Sequence, residues 1–196
     1  FHFNSRVSLV GDAKFDINDV EGTEFYGLGA DVGMAFRPVV RAGKDRFGWQ
    51  ITPFIGTYGI VSADGVTAAV VSQTGFINRF EWRVFERSLL SLVSQYTSFQ
   101  NLTFSIGDVE LSTPIDQNIL KNGILFEFPL LSKSLYGNAH FINTKFIKEA
   151  RVNSYQTYGA GLAYRLTRFS VQANLGYDYA DLYSGVTFNL GAVWDL

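Results

Sequence analysis

The chain has no cysteine, two histidines, four prolines and a single methionine. Without cysteine there is no thiol nucleophile, no zinc cluster and no disulfide scaffold. With only His2 and His140, imidazole chemistry has very little to work with. Charge is scarce too: 17% of residues are charged, and 16 Lys and Arg stand against 18 Asp and Glu. No basic field exists to hold a nucleic acid. No uninterrupted apolar run reaches the ~18 residues that a membrane-spanning helix requires. A charged and then apolar leader is also missing, so the chain is expected to be a mature one that starts directly on structure.

What is abundant points the other way. Of 196 residues, 47% are hydrophobic, 16% are aromatic and 19 are glycine. The length suits one domain, 1–196. Apolar and polar residues alternate with period two from end to end, the mark of strands with two unlike faces. Val7, Leu9, Ala13 and Phe15 oppose Arg6, Ser8, Asp12 and Lys14. Tyr26, Leu28, Ala30, Val32, Met34 and Phe36 oppose Gly27, Gly29, Asp31, Gly33 and Arg37. The pattern is cleanest late in the chain, where Phe169, Val171, Ala173, Leu175, Tyr177 and Tyr179 alternate with Ser170, Gln172, Asn174, Gly176 and Asp178.

Several of these runs continue for about a dozen residues, twice the ~5–6 of an ordinary strand and enough for the ~9–11 that cross a bilayer. Turn residues divide the chain into twelve candidate strands: 1–15, 24–37, 47–62, 66–73, 76–85, 89–99, 102–112, 123–130, 135–146, 153–166, 169–179 and 182–196. The segment 66–73 is the shortest candidate; if it is loop, the count falls to ten. Gln100-Asn101, 131–134 and Thr167-Arg168 predict tight turns, whereas 16–23, 113–122 and 147–152 predict longer polar loops. Such asymmetry, with both termini at the short-turn end, is that of a bacterial barrel. The segment 38–46 is long for that end. Pro53 and Pro129 inside strands, and the parity switch near Gly107-Asp108, predict local bulges.

Alternation alone also fits a soluble barrel or sandwich, whose apolar face is the core. Here the polar face carries Gly27, Gly29, Gly33, Gly159, Gly161, Gly176, Gly185 and Gly191. Glycine has little reason to sit on a solvated strand face, but it relieves crowding in a narrow lumen. Aromatics near strand ends (Tyr26, Trp49, Phe76, Tyr96, Tyr136, Phe146, Tyr183 and Trp194) suggest interfacial girdles. The expected fold is therefore all-β, an antiparallel up-and-down transmembrane β-barrel of 12 strands, with 10 as the second choice.

Counting back from Leu196, the residues Trp194, Ala192, Leu190 and Phe188 are all apolar. This spacing resembles the terminal signature of Gram-negative outer-membrane β-barrel proteins, although the usual last residue is Phe and here it is Leu196. The segments Phe169–Asp178 and Tyr183–Leu196 resemble the closing hairpin of autotransporter-type barrels, which have twelve strands. The resemblance implies a multi-pass barrel of the cell outer membrane, solitary and without a passenger. It also implies outer-membrane lipids, lipopolysaccharide and the barrel assembly machinery as partners, with Phe188, Leu190, Ala192, Trp194 and Leu196 as the assembly signature.

Candidate chemistry is thin. His140 has no His-x-Ser pairing of the barrel-lipase kind, and no histidine falls in the predicted external loops. Asp12, Asp16, Asp19 and Glu21 lack the ordered spacing of a calcium loop. Thr113-Pro114 could open a short helix through Leu120, as N-cap and first position. Arg79, Glu81 and Arg83 share one face of their strand, which would place charges of mixed sign in the lumen. With Arg6, Asp31, Glu127, His140 and Arg165 they form the predicted lumen lining, either a salt-bridged plug or a constriction that selects by charge. No catalytic residue, metal or cofactor is expected. The function expected is a non-enzymatic outer-membrane barrel, either a narrow passive, porin-like channel or a closed autotransporter-like structural barrel. The alternatives are an adhesion barrel acting through external loops, which short loops disfavour, and an outer-membrane lipid hydrolase.

Overall fold

The computed structural model describes residues 6–40, 46–64, 68–101, 104–106, 109–111, 116–130, 134–148, 153–181 and 183–195. Ten long strands close into one antiparallel barrel: β1 (Val7–Val20), β2 (Thr23–Val39), β3 (Phe47–Ser62), β4 (Ala68–Arg83), β5 (Leu89–Asn101), β8 (Gln117–Pro129), β9 (Leu135–Phe146), β10 (Ser154–Arg165), β11 (Phe169–Ala180) and β12 (Tyr183–Asp195). Neighbours in the chain are neighbours in the sheet, and β1 pairs with β12 to close it. Between β5 and β8, the short β6 (Phe104–Ile106) and β7 (Val109–Leu111) pair only with each other. The chain's two described ends, Arg6 and Asp195, lie at one end of the barrel, here called proximal; the other end is distal.

The count is ten rather than twelve for two reasons. First, 68–73 and 76–83, from two separate candidates, belong to one strand, β4, which runs unbroken through Thr74 and Gly75. Gly75 is not a turn. It makes room first for the Tyr96 carbonyl of β5, which a Cβ at that position would overlap, and then for the Phe54 ring, whose Cζ would lie 2.9 Å away. Second, 102–112 supplies no barrel strand; its alternation belongs to the small β6–β7 hairpin. Gly107 and Asp108 lie outside the described residues.

Two expected loops also change. The first loop shrinks to the two-residue turn Glu21-Gly22, with φ of 53° and 83°. Positive φ at both central positions matches the twist of a tight hairpin. Asp19 caps this turn by accepting the Gly22 amide at 2.8 Å, while Asp12 and Asp16 belong to β1. The helix expected over 113–120 is not formed where described, since 117–120 open β8. Pro53 interrupts pairing with β2 without shifting the register, and Pro129 ends β8. The one bulge between β2 and β3 falls at Phe36–Val39, around Pro38, which has no amide hydrogen to give.

The faces sort as the alternation demands. Apolar residues point outward: Leu28 is 67% exposed, Ile55 62% and Trp194 56%. Buried inside are Asp16, Thr97, Glu127, Asn138, Thr144, Asp178 and Asp195. A soluble protein buries the opposite set.

Candidate functional site

The lumen is the site, and it has two unlike halves. In the proximal half Glu127 of β8, 2% exposed, accepts from Arg79 Nη2 of β4 at 3.2 Å and from Arg165 Nη2 of β10 at 2.6 Å. Arg79 Nε also lies 3.0 Å from Glu81 and bonds Ser91 Oγ at 3.2 Å. Arg165 lies over the Tyr136 ring, 4.6 Å from its centre. Across the barrel, Arg37 Nη1 bonds Ser8 Oγ at 2.5 Å and lies 3.4 Å from Asp195 Oδ1, which itself accepts from Ser8. Arg37, Arg79, Glu81 and Arg165 rim a cavity of about 100 Å³, lined also by Gln50, Ser170 and Gln172. A guanidinium presents a planar fork of donors, so one buried carboxylate can hold two of them in fixed positions.

The distal half is lined by hydroxyls, carboxylates and rings. Asp16 Oδ1 accepts from Tyr58 at 2.7 Å and from Asn18 at 2.5 Å, and its Oδ2 lies 3.2 Å from Lys14 Nζ. Tyr183 donates to Asn18 Oδ1 at 2.7 Å. Asp178 accepts from Thr157 at 2.5 Å and Thr187 at 3.0 Å, with the Tyr183 hydroxyl 3.3 Å away. Tyr155 packs on Tyr183 with ring centres 4.9 Å apart, Phe146 on Tyr155 at 6.0 Å, and Phe99 on Tyr58 at 6.5 Å. The network thus joins β1, β3, β10, β11 and β12 directly, and rings from β5 and β9 extend it at its two ends. Lumen-facing glycines leave the room: a Cβ at Gly27 would overlap Tyr58 and Asp16, and one at Gly159 would overlap His140.

Of the residues singled out in the sequence, Arg79, Glu81, Glu127 and Arg165 come together in the proximal cluster. Arg83 ends β4, its amide bonded to the Arg46 carbonyl at 2.7 Å. Arg6 is exposed ahead of β1, and its carbonyl accepts the Arg37 amide. Asp31 lies mid-lumen, accepts from Gln73 and stands opposite Asp12. His140 faces Gly159 and makes no side-chain hydrogen bond to a described residue. Phe188, Leu190, Ala192 and Trp194 lie along the outward face of β12; Leu196 is outside the described residues.

The expected girdle splits. Tyr26, Trp49, Phe76, Tyr96 and Trp194 face outward, but Tyr136, Phe146 and Tyr183 sit on lumen parity. At the proximal end the outward rings of Phe47, Trp49, Phe80 and Trp82 do pack together, with Trp49 and Phe80 stacked at 6.0 Å. The distal network is hidden in the sequence because Tyr183 and Phe146 look like interface aromatics by residue type, while Tyr58 and Tyr155 belong to no motif. Their parity, shared with Lys14, Asp16 and Asp178 through the strand ladders, was the available signal.

The barrel has the fold of Gram-negative outer-membrane β-barrels. It superposes on the β domain of the Bordetella autotransporter BrkA with a TM-score of 0.63 at 10% identity, covering 98% of this chain and 100% of that one. An outer-membrane channel from Pseudomonas putida F1 gives 0.61 at 10% identity, over 97% and 95% of the two chains. The translocator domain of the autotransporter NalP from Neisseria meningitidis gives 0.55 at 10%, over 98% and 89%. At such identity the likeness is one of fold. No family model matches the sequence, and no curated protein does.

Proposed function

We propose that this chain is a non-enzymatic, multi-pass barrel of a Gram-negative outer membrane, a narrow passage for small polar solutes that its own side chains hold shut in the distal half. The distal network carries this reading: its hydrogen bonds link the neighbouring strands β10, β11, β12 and β1 and reach β3 past Gly27, filling that side of the distal lumen with polar side chains. Ten strands support it as well: barrels of about eight are filled by side chains, whereas those of about 16–18 leave a water channel. The outward apolar wall supports lipid as its solvent, and the outward row Phe188, Leu190, Ala192 and Trp194 supports recognition by the assembly machinery. His140, with glycine neighbours and no hydrogen-bonded serine or carboxylate among the described residues, gives little support to hydrolysis. The two-residue β1–β2 turn offers little surface for adhesion.

Conductance of the refolded protein in a planar bilayer tests the proposal. The wild type is expected to pass little current, and combining Asp178→Ala with Tyr183→Phe to open sustained conductance. Steady ion-selective openings of the wild type that change on Arg79→Ala would instead describe an open channel. Silence of both proteins would describe a closed structural barrel, a reading that the Arg79–Glu127–Arg165 bridge favours in its own right.

A further inference from the structure

The outer wall is not uniform. On β11, β12, β1 and β2 the outward positions are apolar along most of their length, as from Tyr26 to Phe36 and from Phe169 to Tyr179. On the other side one row of ladder partners is polar across five strands. Asn78 stands opposite Ser94, Ser94 opposite Asn122, Asn122 opposite Asn143, and Asn143 opposite Gln156. A second row, Thr74, Ser98 and Asn118, lies distal to it. Asn122, on the middle strand, is exposed, and Ser94, Asn122 and Asn143 make no side-chain hydrogen bond to any described residue. The apolar stretch below is short: β5 offers only Leu90 and Leu92 before Ser94, where β2 offers six outward apolar positions.

Acyl chains have no donor or acceptor for these groups. We propose that this wall, β4–β5–β8–β9–β10, is the interface with a second copy of the chain lying beside it in the membrane, an inference that rests on the membrane reading above. The chemistry points to a copy rather than to an unlike partner. Amides both donate and accept, so a patch rich in them is complementary to itself under a two-fold axis along the membrane normal. Lys145 is the only charged residue among the described outward positions of these strands, so nothing selects a partner of opposite charge. The five strands span half of the ten-stranded ring, so contact with a second barrel centres on β5, β8 and β9 and on the Ser94, Asn122 and Asn143 positions that they carry. A two-fold axis near β8 sets Asn122 against its own counterpart.

Because the chain lacks cysteine, Asn122→Cys introduces a single thiol. Thiols on chains whose Cα atoms approach within ~7 Å can join. In membranes treated with mild oxidant, that variant is expected to shift to twice the monomer mass, while Leu175→Cys on the apolar wall stays monomeric. Combining Asn122→Leu with Asn143→Leu is expected to leave the barrel folded and to abolish the dimer that amine- or carboxyl-directed cross-linking detects in the wild type. A folded Asn122→Cys barrel that stays monomeric overturns the proposal, as does equal cross-linking at both positions. In the first case, reaction of the thiol with a water-soluble maleimide would assign the row to sugar headgroups instead. Quenching of Trp194 by brominated lipid reports the membrane reading separately, so the two failures are distinguishable.

Discussion

The two halves of the lumen solve one problem with different chemistry. Both must satisfy polar side chains that a closed sheet has forced inward. The proximal half does so with few, strong, charged contacts: Glu127 holds Arg165 and shares Arg79 with Glu81. The distal half shares the task among hydroxyls, amides and two carboxylates, no one of which holds the rest. A network centred on one charge fails when that charge is removed, whereas a distributed one loosens by degrees. The difference teaches that a cluster centred on a few charges near the termini and a distributed hydrogen-bond network at the far end can coexist in one barrel.

Substitutions that sharpen this contrast differ in size. Glu127→Ala leaves Arg165 without its carboxylate and Arg79 with only Glu81 and Ser91, and removing one partner of a buried pair costs about 3–5 kcal/mol. The lower end is expected, because Arg79 and Arg165 keep 21% and 14% exposure toward the cavity. Denaturant unfolding in detergent micelles measures it, and a loss equal to that of a distal variant would erase the contrast. Asp178→Ala removes the acceptor of Thr157 and Thr187, and leaving buried donors unmet costs about 1–3 kcal/mol. The same unfolding assay should place it below Glu127→Ala. Smallest is Tyr183→Phe, which keeps the ring on Tyr155 but loses the bond to Asn18, worth about 0.5–1.5 kcal/mol. Were Tyr183→Phe to match Asp178→Ala, the distal half would depend on one residue after all.

Much of this was legible in the sequence, and the misses have a common cause. Period-two alternation is local, so it set the face of Arg79, Glu81, Glu127 and Arg165 without any knowledge of the fold. Strand number is not local. Nothing near Gly75 says whether the chain turns or makes way for Phe54, which arrives from β3. Nothing in the alternation of 102–112 says that its partner is itself rather than the barrel. Residue type misled where it was allowed to outrank parity: Tyr136, Phe146 and Tyr183 looked like interface aromatics, but their positions in the ladder put them inside.

The closing pair of strands has a consequence for how the molecule is made. Every other barrel partnership joins segments adjacent in the chain or separated by a short excursion, so each can zip up soon after its hairpin exists. β1 and β12 meet only across almost the full chain, with Ser8 bonded to Asp195 at a separation of 187 residues. Until that last strand arrives, β1 carries a bare row of amide and carbonyl groups, which hydrocarbon cannot tolerate and which invites pairing with a stranger. The two margins must therefore be chaperoned or kept out of lipid until they find each other, and the Arg37–Ser8–Asp195 bond acts as the clasp that keeps them joined.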